Sequence, residues 1–179
     1  MKPAHGAGFT LLEMMLALFV AGLLVALIVP RLGVLRGAAL ESSARQVANR
    51  IRFLREEAAL RGQYVRFEVD PESGRYAASV LLGAEPGSST PARFVAKDTP
   101  LYRATSLPRS VGIDLVGPGV VRTAEGYPST LFTPDGYADP SVVYLDDGAG
   151  SAFTILIEAA VSQPRVFDRR VDARELIAP

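Results

Sequence analysis

FTLLEMMLALFVAGLLVALIV, residues Phe9–Val29, decides how this chain is read. Its twenty-one residues hold a single charge, Glu13. A bilayer core of roughly 30 Å needs about 20 helical residues at 1.5 Å rise each, so the run is long enough to span. It exceeds the ~7–15 apolar residues of a secretory signal peptide, and no A-x-A cleavage site follows it. Pro30 and Arg31 mark its far edge. The remaining feature is Glu13, because an acid inside a spanning helix costs about 2.5–3.5 kcal/mol unless it is neutralised or paired. If the chain were cut between Gly8 and Phe9, the new α-amino group would be mostly charged at neutral pH. An amine and a carboxylate attract strongly where the dielectric is low, each removing the other's desolvation cost.

Beyond Pro30 the pattern becomes amphipathic. Leu40, Ala44, Val47, Ile51, Leu54 and Ala58 recur in alternating steps of four and three, which places them on one stripe of a helix. Glu41, Arg45, Arg52, Arg55 and Glu56 are expected on the opposite, solvated face, and Gly62 supplies a C-terminal stop. A self-standing coiled coil would have a weak seam, with alanine at two stripe positions, so the stripe is expected to pack on a sheet. Phe9 to Arg61 as one helix would extend about 80 Å. Pro30, Gly33 and Gly37 predict a bend or break near the membrane edge.

After Gly62 the period becomes strand-like. Tyr64–Val69 alternates, Pro71-Glu72-Ser73-Gly74 turns the chain, and Arg75–Leu82 returns it. Gly83 to Pro100 reads as a long loop. Short strands are expected at Val111–Val116, Gly119–Arg122, Ser129–Phe132, Val142–Leu145, Phe153–Glu158 and Arg165–Val171. The fold class is therefore α+β, one long helix packed on an antiparallel head of about eight short strands.

The 179 residues carry nineteen basic and nineteen acidic side chains, so no broad field draws the chain to nucleic acid. The absence of cysteine excludes a disulfide framework, thiolate zinc sites and a cysteine nucleophile. The one histidine, His5, lies in the N-terminal leader. No nucleophile elbow, phosphate-binding loop or dinucleotide fingerprint is present, and the chain reads as a non-enzyme without a cofactor. Asp135, Asp139, Asp146 and Asp147 could assemble a calcium site, but their spacing fits no EF-hand and Asp-Gly pairs are ordinary turn formers; no metal site is expected. Arg165, Arg169, Arg170 and Arg174 could grip phosphates, yet Asp168, Asp172 and Glu175 are interleaved with them, which argues against nucleic acid.

Gly8-Phe9-Thr10-Leu11-Leu12-Glu13, preceded by a short leader containing Lys2, resembles the type III signal of type IV pilins and type II secretion pseudopilins. Ile51-Arg52-Phe53-Leu54-Arg55-Glu56-Glu57-Ala58, and the turn Phe132-Thr133-Pro134-Asp135-Gly136, resemble the minor pseudopilin H group, which includes the GspH and FimT proteins. The resemblance implies a prepilin leader over 1–8, a transmembrane and polymerisation helix over 9–29, an amphipathic helix over 30–62 and a periplasmic β-rich head over 63–179. It implies cleavage after Gly8 by a prepilin peptidase, N-methylation of Phe9, and Glu13 pairing with a neighbour's amine; Pro30 matches a proline at which pilin helices locally melt. The location implied is the bacterial inner membrane, single-pass, with the head in the periplasm. Implied partners are other pseudopilins, the peptidase and the inner-membrane assembly platform. Within the family the alternative is a minor type IV pilin (FimT/FimU-like) that primes pilus assembly, with possible DNA uptake as its output. From another class, the alternative is a membrane-anchored binding domain that never polymerises.

Overall fold

The computed structural model describes residues 10–83, 92–161 and 163–177, apart from the side chains of 25–36. The chain divides into two compact units, Met1–Arg36 and Gly37–Pro179. Helix α1 (Leu11–Arg61) contributes its first part to one unit and its last turns to the other. Its backbone is helical through Pro30, Gly33 and Gly37.

In the second unit the expected stripe is the spine of the core. Leu40, Ala44, Val47, Ile51, Leu54 and Ala58 are each no more than 1% exposed. Burying a side chain the size of Leu54 or Ile51 contributes roughly 1.5–3 kcal/mol, and the stripe contains three such residues with Leu40. These side chains share one apolar cluster with Val65, Phe67 and Val69 of β1 (Val65–Asp70) and with Tyr76, Ala78 and Val80 of β2 (Arg75–Leu82). The period-two alternation of the hairpin thus puts one face of each strand against the helix. The hairpin register pairs Phe67 with Ala78. Its turn is held by Asp70, whose carboxylate accepts the backbone N–H groups of Glu72 and Ser73 at 3.1 and 3.2 Å.

The helix ends as its sequence directs. Gly62 adopts φ 61°, its N–H donates to the Ala59 carbonyl, and the Gln63 N–H donates to the Ala58 carbonyl at 3.0 Å. That pair of bonds is a Schellman cap, which requires a left-handed residue at the position Gly62 occupies.

Among the described residues ten strands form, where about eight are expected. β3 (Arg93–Val95) lies inside the expected Gly83–Pro100 loop and pairs with β2, Leu81 opposite Phe94. β4 (Thr105–Ser106) adds to the other end of β2. Both are too short to show a period, and their partner supplies the order. The remaining strands are β5 (Gly112–Val116), β6 (Val121–Arg122), β7 (Pro128–Phe132), β8 (Ser141–Asp146), β9 (Ala152–Ile157) and β10 (Arg165–Phe167). One antiparallel sheet has the order β3-β2-β1-β7-β6 with β4 on β2, and the other the order β10-β9-β8-β5.

Five of the six residues of β8 are buried because both its faces are covered. Val143 and Leu145 join the main cluster, whereas Val142 and Tyr144 join Leu156 in a second one. The second cluster is closed by Phe167, Ala173, Leu176 and Ile177 of the C-terminal segment. The final expected strand is therefore shorter than 165–171. After Phe167 the chain leaves the ladder, and the Thr154 hydroxyl takes over, donating to the Arg169 carbonyl at 2.7 Å and accepting the Val171 N–H at 3.0 Å. A short helix, α2 (Ala173–Leu176), follows, capped by the Asp172 carboxylate.

A Cβ added at Gly62 would meet nothing within 4 Å, so substitution there tests backbone conformation alone. Gly62→Ala is expected to lower the unfolding free energy of the full chain by roughly 1–2 kcal/mol, read from urea denaturation in a nonionic detergent. An unchanged midpoint would show that the cap does not need a left-handed residue.

Candidate functional site

Two features of α1 are candidates, each within its own unit: an exposed apolar surface around Glu13, and an arginine that ties the helix to the sheets. Thr10 caps the helix start. The Glu13 N–H donates to the Thr10 carbonyl at 3.1 Å and to its hydroxyl at 3.3 Å. Thr10-Leu11-Leu12-Glu13 is thus the Thr-x-x-Glu arrangement of a capping box, a second reading of those residues that the sequence analysis missed. The cap places Glu13 in the first turn, where the helix dipole favours a negative charge. None of the ion pairs among the described residues includes Glu13.

Around it, Leu11, Leu12, Met14, Met15, Leu16, Leu18, Phe19, Val20, Leu23 and Leu24 are all exposed, Leu11 and Leu12 to 79%. A helix that is apolar on every side requires an apolar surrounding, whether lipid or other helices. Among the described residues no helix is long and apolar enough to cross a membrane. The span expected over 9–29 lies partly outside those residues, as do Gly8 and Phe9, the expected cleavage and methylation positions. The side chain of Pro30 also lies outside them.

The second feature corrects an expectation. Arg55 is not on a solvated face; it is 4% exposed. Its Nε donates to the Gly136 carbonyl at 2.6 Å, Nη2 to Ala159 at 2.6 Å, and Nη1 to Glu158 at 2.9 Å and to Val161. Four carbonyls from two segments thus surround one guanidinium, whose planar fork of five N–H donors suits the task. Desolvation lowers its pKa from the ordinary arginine value, and the carbonyl dipoles compensate the buried charge. The spacing contained a signal: Arg55 is four residues after Ile51 and three before Ala58, on the flank of the buried stripe. Ala48 extends the same flank and is buried too, while Ser43 is buried on the other flank of the stripe.

Arg55 also joins two motifs read separately in the sequence. Gly136 closes the Phe132–Gly136 turn with φ 82°, its N–H donating to the Thr133 carbonyl at 3.0 Å. The turn continues into Ala138, whose N–H donates to the Ala159 carbonyl at 3.0 Å. Ala159 therefore receives both Ala138 and Arg55, coupling the turn, the end of β9 and the helix at one point.

The carboxylates weighed for a metal serve as turn acceptors. The Thr133 hydroxyl donates to Asp135, the Gly148 N–H to Asp146 at 3.2 Å, and the Ala149 and Ser151 N–H groups to Asp147 at 2.8 and 3.0 Å. The N–H of Ala149 holds the Asp147 carboxyl below its ordinary pKa. Asp139 is the exception, its pKa raised by desolvation. Among the described residues no group of three or more acidic or histidine side chains could hold a metal ion. Of the C-terminal arginines, Arg170 and Arg174 line one cavity together with Asp172, so their charge is partly offset there. Arg165 lies 4.0 Å from Glu158, and Arg170 stacks over the Tyr144 ring at 4.2 Å.

These features define a pilin-like α+β protein. The family model described as "Type II transport protein GspH" matches residues 43–171. The chain belongs to that family; it is a GspH-type pseudopilin, of a structural rather than an enzymatic family. Comparison with curated proteins returns no match. Two solved structures of the minor pseudopilin EpsH from the type II secretion system of Vibrio cholerae share the fold, with TM-scores of 0.55 and 0.56, each at 16% identity. They cover 72% and 75% of this chain, and 96% and 97% of their own.

Replacing Arg55 with methionine keeps much of the bulk and takes a donor from four carbonyls, of which Ala159 alone keeps another, the Ala138 N–H. The expected loss is about 3 kcal/mol or more of unfolding free energy, measured by urea denaturation followed through tyrosine fluorescence. Arg55→Lys should recover only part of it, since a single ammonium cannot reach every acceptor. A methionine variant as stable as the parent would show that the clamp contributes nothing net.

Proposed function

We propose that this chain works as a minor, structural subunit of a type II secretion pseudopilus, the periplasmic fibre that drives export of folded proteins across the outer membrane. The observation that supports this most is the placement of Glu13. One acid stands in the first turn of α1, whose large apolar side chains between Leu11 and Leu24 are exposed. Such a surface demands an apolar environment, and in that environment the acid demands a cation.

In this reading a prepilin peptidase cuts after Gly8 and Phe9 becomes the methylated N-terminus. Loss of Lys2 takes nineteen basic against nineteen acidic side chains to eighteen against nineteen. The run 9–29 crosses the inner membrane once, with the head, 63–179, in the periplasm. During assembly by the inner-membrane platform, the stems of successive pseudopilins pack side by side. Glu13 of one subunit then meets the terminal amine of the next, so neither charge stays unpaired in the apolar bundle. Pro30 removes one helical hydrogen bond and softens α1 at that point for fitting into the fibre.

Two measurements test this. Mass spectrometry of the membrane fraction is expected to find an N-methylated Phe9 terminus; a mature chain that retains Met1–Gly8 would remove the processing step on which pairing depends. Glu13→Val is expected to insert and be cleaved normally yet fail to incorporate, so crosslinks to other pseudopilins disappear. Undiminished incorporation of that variant would overturn the pairing mechanism.

A further inference from the structure

Among the described residues strand β5 is an edge: it pairs with β8 on one side only. The Leu115 N–H donates to the carboxylate of the preceding residue, Asp114, at 2.8 Å, a local bond made on the side where no described strand is hydrogen-bonded to β5. In an antiparallel ladder the N–H and C=O of one residue point the same way, so the Leu115 carbonyl faces the same open side. The Ile113 and Leu115 side chains are buried, which leaves the backbone as what the edge presents.

This edge borders a groove of about 700 Å³, walled opposite by the β1–β2 turn and by the β6–β7 loop. Its lining is mostly acidic, with Arg75 near Asp70 and Arg66 near Glu125 outside it. Asp70, Glu72, Asp114 and Glu125 line it against a single guanidinium, Arg122. The Ser73 hydroxyl holds the Asp70 carboxyl below its ordinary pKa, and a backbone N–H does the same for Glu125. Both are therefore anionic at neutral pH.

We propose that the groove takes an extended segment of a partner protein bearing lysine or arginine at alternate positions, which adds to β5 as a further strand. Main-chain bonds to Leu115 hold the segment, and alternation sends its cationic side chains toward the carboxylates on one side. The facing wall favours a lone strand over a second copy of this chain, because the edge of another sheet would meet that wall. Short edge strands with local carboxylate caps resist indiscriminate pairing, so the charge requirement also supplies selectivity. The surface belongs to the head alone. Its occupancy does not depend on whether Glu13 pairs with an amine, and failure of either proposal leaves the other standing.

The test uses the full chain in a nonionic detergent with three synthetic octapeptides: alternating Lys-Val, alternating Glu-Val, and the Lys-Val peptide with proline replacing a central valine. The Lys-Val peptide is expected to bind and to slow amide hydrogen exchange at Leu115 at least tenfold. The Glu-Val peptide should not bind, and the proline peptide should bind at least tenfold more weakly. Exchanging both Glu72→Gln and Glu125→Gln should weaken Lys-Val binding about tenfold at low salt while leaving exchange in β1 and β8 unchanged. Equal binding of the two charge patterns would overturn the proposal, and so would binding that leaves Leu115 exchange unaltered. Protection of Leu115 that rises with protein concentration in the absence of peptide would identify a second copy as the occupant and overturn it likewise.

Discussion

One buried cation governs how this head is assembled. A guanidinium out of water is costly unless its donors are satisfied, and Arg55 finds its acceptors only where three pieces of chain arrive together. Gly136 lies 81 residues away in sequence, and Glu158, Ala159 and Val161 lie 103, 104 and 106 residues away. The apolar stripe of α1 would pack on any suitable sheet, because burial is nondirectional. The arginine fork is directional, and it sets the helix in one register against the Phe132–Gly136 turn and the end of β9. It also explains why that turn contains a glycine with positive φ. The backbone must fold tightly enough to aim a carbonyl at the helix.

The same helix performs opposite work along its length. Its last turns bury Ile51, Leu54 and Ala58 inside their own domain, while residues 11–24 keep their apolar side chains exposed. A chain that used all its apolar surface internally would have nothing with which to join a fibre. Among the described residues the buried stripe begins at Leu40, and the exposed apolar side chains of residues 11–24 call for an apolar surrounding. In the proposed function, Glu13 would add specificity to what is otherwise indiscriminate hydrophobic association. The acid makes any packing without a matched cation unfavourable. Thr10, by capping the first turn, fixes where along the helix that demand is made.

The architecture was legible in the residues wherever the controlling interaction is local. The four-and-three spacing from Leu40 to Ala58, the alternation of Tyr64–Val69, Gly62 as helix stop and the Asp-Gly turns are short-range statements, and the structure contains each of them. Family membership followed from the same residues, Gly8 to Glu13 and the Arg55 and Gly136 motifs, although their physical connection was invisible. Arg55 was placed among solvated charges because its neighbours Arg52 and Glu56 do face outward. Only the acceptors at Gly136 and Glu158–Val161 make a buried position tolerable for it.

Sequence alone determined the elements that depend on near neighbours: a long helix with two kinds of surface, a hairpin, a series of short strands, and one acid in an apolar run. These follow from side-chain period and turn chemistry, which act over a few residues. Tertiary structure alone decided that β3 forms inside a Gly- and Pro-rich stretch, that the C-terminal segment leaves the ladder to cover Tyr144 and Val142, and that β5 ends its sheet beside an acidic groove. Each of these depends on a partner tens of residues distant. A strand of two or three residues has no preference strong enough to order it, and no residue records in its own identity whether a strand will come to lie beside it.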